Sequence, residues 1–206
     1  MMQPFVRHTG IVAALPRSNV DTDQIIPKQF LKRVERTGFG PALFHDWRYL
    51  SDGMPDPAFE LNDPSARDAT ILVAGPNFGC GSSREHAVWA LLEYGFRAIL
   101  APSFADIFSA NCCRNGVVPV PLHAEEIEQL FSRQRAAGGA YHLTVDLEAR
   151  CVTDGSGFHT SFPFDGFRRD MLLRGLDEIG RTLLEENLIT AYERSRDAGT
   201  GERAWR

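Results

Sequence analysis

The chain has 206 residues, 22 Lys plus Arg against 27 Asp plus Glu, a net charge of −5, 43% hydrophobic residues and four cysteines. Those values describe a soluble globular chain with material for a sizeable core, and they exclude disordered, collagen-like and disulfide-scaffold classes. An acidic balance without a Lys/Arg-rich block also argues against nucleic acid as a partner, because such binders carry basic stripes.

In chain order, residues 1–10 place Gln3, Arg7 and His8 ahead of any apolar run, so no secretory signal is expected there. No apolar run reaches the roughly 20 residues that cross a bilayer, so a cytoplasmic protein without membrane contact is expected. In that reducing compartment Cys80, Cys112, Cys113 and Cys151 should be thiols. Residues 5–15 read as a strand ending at Pro16, 30–34 as a short helical piece broken by Gly38, Gly40 and Pro41, and 51–67 as a long surface connection separating two parts of the fold. Beyond it, strands at 70–74, 98–101 and 117–120 alternate with helices at 83–94, 103–113 and 124–135, which predicts a parallel sheet with helical cover. Period-two alternation over 141–154 and a further strand at 160–164 suggest an antiparallel addition. Leu176, Ile179, Leu183 and Leu188 then mark one long amphipathic helix with Glu185 and Glu186 outside, before a frayed tail at 199–206. The fold class is therefore α/β, a mixed and partly parallel sheet flanked by helices, with a C-terminal helix.

Chemistry concentrates in Gly75-Pro-Asn-Phe-Gly-Cys-Gly-Ser-Ser-Arg-Glu-His86, between a strand and a helix, where open α/β sheets collect ligands. Ser82 and Glu85 match a capping box, and Gly79 and Gly81 permit a tight turn. Arg84 is the residue those roles leave unexplained, because a cation in a first helical turn is opposed by the helix dipole. A carboxylate or phosphate bound by Ser83, Arg84 and backbone N–H groups would reverse that sign.

Other motifs fail. A P-loop needs a Lys that this stretch lacks, and a dinucleotide fingerprint would want Gly where Arg84 stands. A hydrolase elbow spaces its glycines differently from Gly79 and Gly81, which directly flank Cys80. Cys80 remains open as a thiol nucleophile at a helix start. No Cys-x-x-Cys pair or His-Glu-x-x-His occurs, His86 reads as a satisfied packing residue, and Asp21-Thr-Asp23 reads as a turn or cap more than as a cation site.

The string Asn77-Phe-Gly-Cys-Gly-Ser-Ser-Arg-Glu-His-Ala87 resembles the signature of the swivelling domain of the aconitase superfamily, and Asp21-Thr-Asp-Gln-Ile-Ile-Pro27 resembles its second motif. Ala105-Asp-Ile-Phe-Ser-Ala-Asn111, Asn115-Gly116, residues 38–47 and the helix over 176–192 extend the likeness to the bacterial small-subunit family of 3-isopropylmalate dehydratase. The resemblance implies one swivelling domain over 1–198 and a hydro-lyase of leucine biosynthesis. Such an enzyme turns 2-isopropylmalate, a small dicarboxylate, into 3-isopropylmalate by dehydration and rehydration. It implies a large-subunit partner that carries a [4Fe–4S] cluster, with none bound by this chain. It also implies Ser82 as the base, Ser83 and Arg84 as the carboxylate receptor, and Asp23 as a support through a histidine of the large subunit. Leu31 is implied as an apolar contact for the isopropyl group, within a segment over 30–40 that sets the side chain accepted. A hydroxyl is a weak base unless its alkoxide is stabilised, which the helix N–H groups and Arg84 are expected to do. The alternatives are a related hydro-lyase subunit (homoaconitase or methylmalate type), a carboxylate-binding module without catalysis, and a Cys80 thiol enzyme.

Overall fold

The first strand, β1 (Arg7–Leu15), carries residues of both halves of the core, because its side chains alternate between two faces. In the computed structural model, which describes residues 2–32 and 37–199, β1 is the middle strand of a seven-stranded mixed sheet. Two single-turn helices follow it, α1 (Thr22–Ile25) and α2 (His45–Arg48). The chain then runs β2 (Ile71–Ala74), α3 (Glu85–Tyr94), β3 (Ala98–Ala101), α4 (Asp106–Asn115), β4 (Val118–Pro121) and α5 (Ala124–Ala136). An antiparallel meander of β5 (His142–Asp146), β6 (Cys151–Thr153) and β7 (His159–Ser161) comes next, and α6 (Gly166–Arg174), α7 (Glu178–Leu183) and α8 (Glu186–Gly199) close the described chain.

The strand order is β4-β3-β2-β1-β5-β6-β7. β1 pairs parallel with β2, Val12 opposite Ile71, and antiparallel with β5, Arg7 opposite Asp146. All residues of β2 and β3 are buried, as expected where helices cover both faces of a parallel sheet. Period two splits β2 between two core layers. Leu72 and Ala74 pack with α3, the Phe108 side of α4 and the rings of Phe39, Phe44 and Phe59, whereas Ile71 and Val73 pack with α5, the meander and Leu172 of α6. The expected fold class is the observed one.

Several boundaries differ from the sequence reading, each for a local reason. The stretch 51–67 is no plain surface connection: two 3-10 turns, Glu60–Asn62 and Pro64–Ala66, bury Phe59, Leu61 and Ala66, and Arg17 grips the Glu60 carboxylate through Nε at 3.0 Å and Nη2 at 2.9 Å. The piece expected at 30–34 is a 3-10 turn over Lys28–Lys32, and Val34 lies outside the described residues. The alternation over 141–154 is two strands separated by a turn. Helix α6, started by the Asp165 carboxylate accepting from Arg168 N at 2.9 Å, has no amphipathic signature and was not anticipated. The single long C-terminal helix is instead α7 and α8, broken after Leu184, with its apolar residues uncovered. Gly199, where the frayed tail was expected to begin, is the last described residue and still belongs to α8, and 200–206 lie outside the described residues.

Candidate active site

The loop joining β2 to α3 is stitched on both sides to neighbouring connections at the carboxyl ends of β1 and β3. Gly79 N donates to Val20 O at 2.8 Å and Thr22 N to Cys80 O at 2.9 Å on one side. On the other side Phe78 N donates to Ser103 O at 3.0 Å and Ala105 N to Phe78 O at 3.1 Å. Asn77 adds a side-chain bond to Asn19 Oδ1 at 2.8 Å. A segment with backbone partners on two sides is held as firmly as a sheet strand, although it lies outside the regular strands.

Gly79 and Gly81 both have positive φ, +77° and +83°. A Cβ on Gly79 would enter the Phe108 ring, and one on Gly81 would enter the Asp21 carboxylate, so both glycines are demanded by close packing as well as by dihedral. Asp21 is a cap, as its residue type suggests: its Oδ1 accepts from Asp23 N at 2.6 Å, and Gln24 Oε1 accepts from Asp21 N at 2.8 Å.

Gly79, Gly81, Ser82, Ser83 and Arg84 line one cleft of about 240 Å³, together with Thr22 and the first turn of α4 at Asp106 and Ile107. Ser82 and Ser83 are exposed there. The expected Ser82–Glu85 capping box does not form. Arg84 occupies the N-cap position of α3 without a side-chain cap, two residues beyond Ser82, and Glu85 reaches across to accept from Asn115 Nδ2 of α4 at 2.9 Å. Arg84 does have a counter-charge: its guanidinium, only 15% exposed, forms an ion pair with Asp23, whose other carboxylate oxygen lies 3.3 Å from Lys28 Nζ. The anion that the helix-start arginine called for is thus supplied in part by the chain itself. Leu31 is not among the residues lining this cleft; it sits half-buried on its 3-10 turn, against the core layer that holds Phe39 and Phe44.

One residue of the site escaped the sequence reading. Thr22 is buried, and its hydroxyl donates to the Ser82 carbonyl at 2.7 Å, so it fixes the backbone of the residue assigned as base. Its sequence signals are its place between two aspartates and inside the Asp21–Pro27 motif, neither of which shows that it reaches Ser82. Cys80, the alternative nucleophile, is partly buried in the loop. Burial first, and then the Asp21 carboxylate, push its thiol above the ordinary value, so the loop does not activate it as a nucleophile. His86 packs edge-on against Phe39 with centroids 5.4 Å apart, a packing role as read from sequence.

Among the described residues no group of three or more His, Cys, Asp or Glu is placed to hold a metal ion. The four thiols are all free and do not converge: Cys112 packs in one core layer, Cys113 in the other, Cys151 lies on β6 and Cys80 in the loop. They do not fit an iron–sulfur cluster, whose ligands must meet at one centre.

A mixed sheet that presents a Gly-Cys-Gly-Ser-Ser-Arg loop beside its parallel strands is a fold shared with aconitases, and the family model for the aconitase C-terminal domain matches residues 2–125. A second model, described as LeuD_N, matches residues 128–166. The 3-isopropylmalate dehydratase small subunit of Rhodopirellula baltica is 60% identical over 196 residues, covering 95% of this chain and all of that one. The protein of the same name from Anoxybacillus flavithermus is 59% identical over 195 residues with the same coverage. The crystal structure of a 3-isopropylmalate dehydratase from Methanocaldococcus jannaschii matches at a TM-score of 0.65 and 26% identity, over 91% of this chain and 99% of that one. This chain belongs to the 3-isopropylmalate dehydratase small-subunit family.

Proposed function

We propose that the chain, joined to a large subunit, forms a 3-isopropylmalate dehydratase, which removes water from 2-isopropylmalate and adds it back in the other orientation to give 3-isopropylmalate for leucine synthesis. The observation that carries this reading is the exposed Ser82 hydroxyl in a cleft whose backbone is pinned by Thr22, on a chain nearly 60% identical to subunits of that name. The cleft of about 240 Å³ has room for a small diacid, but Ser82 and Ser83 are exposed on it, so a ligand seated there would keep one side open to solvent. A second polypeptide has to complete the walls.

Within this reading Ser82 takes the proton from the carbon next to a carboxylate as hydroxide leaves the neighbouring carbon, and returns it in the reverse addition. Ser82 does so as its alkoxide, which becomes the hydroxyl as the proton arrives and is regenerated when the proton is returned; the N–H groups of the first turn of α3 and Arg84 would stabilise the alkoxide form. Ser83 and Arg84 hold the substrate carboxylate; a guanidinium has five N–H donors, and the Asp23 pair engages it at Nη1, leaving others for a ligand. Asp23 keeps that guanidinium aimed, and its support through a histidine of the large subunit belongs to the assembled enzyme. Leu31 is assigned to the isopropyl group, and residues 1–198 to the swivelling domain with 199–206 as a tail. The [4Fe–4S] cluster is assigned to the large subunit, and this chain's part is confined to binding, orientation and proton transfer. No helix among the described residues is long and apolar enough to cross a membrane. Four free thiols are the form expected in the cytosol, the compartment assigned here.

The test is Ser82→Ala in the co-expressed complex, followed by the absorbance of the unsaturated intermediate. A lost general base should lower turnover about 10²- to 10⁴-fold with assembly and iron content unchanged. Turnover near that of the wild type would refute the assignment.

A further inference from the structure

The C-terminal arm has no inward face. Among the described residues from Arg181 to Arg196 every one is exposed except Thr190, which is half-buried. Its large apolar side chains are nonetheless grouped: Ile179 is 73% exposed, Leu188 67% and Tyr192 62%, with Leu183, Leu184 and Ile189 beside them. Leu188 and Tyr192 stand four residues apart in α8, which aligns them on one stripe of that helix, and Leu184 lies just before it in the break after α7. An isolated helix the length of α8, 14 residues, is marginal in water, since helices in proteins owe most of their stability to the packing of an apolar face. This one has the face without the packing.

We propose that the arm is the seat for the large subunit, continuous with the cleft that the same subunit completes; this rests on the function proposed above. Two observations select that occupant. Helix α4 joins the two places. Ile107, 56% exposed, lines the cleft, Arg114 lies two turns further along the same side of the helix, and its Nε pairs with Glu178 Oε1, at the start of α7, at 3.1 Å. Seven residues of helix span about 10 Å, so a partner closing the cleft reaches the root of the arm without leaving one face of the molecule. The uncovered apolar side chains Ile179, Leu183, Leu184, Leu188, Ile189 and Tyr192 also fall within fourteen residues of one another, and apolar side chains grouped in this way on a surface mark a protein–protein contact. A second copy of this chain pairing arm to arm would cover the stripe but leave Ile107 and the cleft open.

The experiment uses the full-length chain and its large subunit. Leu188→Glu and Tyr192→Glu are introduced together; both sites are exposed and glutamate is a good helix former, so the chain folds and its melting temperature stays within about 1 °C of the wild type. Binding to the purified large subunit is measured by titration calorimetry, and the isolated small subunit is sized by sedimentation velocity. The expected result is affinity reduced at least about 30-fold, as for two central apolar anchors. Affinity within about threefold of the wild type overturns the proposal, and so does an isolated wild-type dimer that the double variant dissociates without weakening the heteromeric complex. Ser82→Ala is carried in parallel: its full activity would sink the catalytic reading while the binding result still stands or falls by itself.

Discussion

Replacing Gly81 by alanine puts a methyl carbon 2.6 Å from Asp21 Cγ and 2.8 Å from Oδ1, closer still to Oδ2, at a backbone φ of +83°. Restoring an ordinary contact of about 3.5 Å requires a shift of roughly 1 Å, made either by the loop or by the carboxylate that caps α1. The left-handed dihedral costs an alanine about 1–2 kcal/mol and a disturbed cap about 1 kcal/mol more, or about 2–3 kcal/mol together. For a chain of this size that lowers the melting temperature by roughly 4–12 °C, well short of unfolding. Function should suffer more than stability, because a misplacement of about 1 Å at a reacting group costs on the order of 100-fold in rate. Calorimetry of the small subunit and turnover of the assembled complex give the two readouts. Gly155→Ala is the control, since Gly155 has φ of +70° and nothing within 4 Å of the added carbon; it should show the dihedral cost with turnover unchanged. A Gly81→Ala complex as active as the wild type would refute the claim that the Asp21 contact sets the position of Ser82.

Glu93 accepts from the backbone N–H of Gly38 at 3.1 Å, Phe39 at 2.6 Å and Gly40 at 2.9 Å, and so ties the segment assigned to substrate choice to α3. Glu93→Gln should raise the KM for 2-isopropylmalate on the order of tenfold with a smaller change in kcat, and steady-state kinetics showing an unchanged KM would contradict this. The Asp154 carboxylate is fully buried and accepts from Tyr141 Oη at 2.9 Å, Arg133 Nη1 at 2.9 Å and the backbone N–H groups of Ser156 and Phe158 at 2.8 Å. Asp154→Asn should cost about 2–3 kcal/mol in urea unfolding and leave the turnover of the folded complex unchanged. Burial pushes the Cys113 thiol up to about 11 and Cys112 well above the ordinary value. A folded pKa above the unfolded one means that the folded chain keeps protons the unfolded chain has lost. This stability is fully present below about pH 9 and declines as pH rises towards 11, by about 3 kcal/mol for Cys113 alone. Urea midpoints at pH 8 and 10.5 should show that decline, and Cys113→Ala should make it shallower, leaving the part due to Cys112.

The parallel half was legible because its strands are short, wholly apolar runs and its helices keep a regular stripe, as Ile71, Leu72 and Val73 and then Ala87 and Leu91 illustrate. The loop was legible as a site because Arg84 breaks a local rule. What the sequence could not show is where distant partners stand. Asp23, the counter-ion of Arg84, lies 61 positions earlier in the chain, and Asn115 draws Glu85 away from the cap that its spacing favours. Helix α6 was hidden because three of its four large apolar residues, Met171, Leu172 and Leu173, are consecutive, which leaves only Phe167 at helical spacing from Met171. The C-terminal periodicity suggested one helix through Leu176, Ile179, Leu183 and Leu188, but spacing alone shows neither the break after Leu184 nor whether a covering surface lies in the same chain.

The central place of β1 has a consequence for synthesis. Its first neighbour arrives with Ile71, but the edge bordered by Arg7 and Ile11 waits for Asp146 and His142, about 75 residues later, some 4–15 s at ordinary ribosomal speeds. During that interval the nascent chain carries an open strand edge able to recruit another. Crowded polysomes should therefore be where this protein most needs a chaperone, and a circular permutant that begins at the meander should need one less.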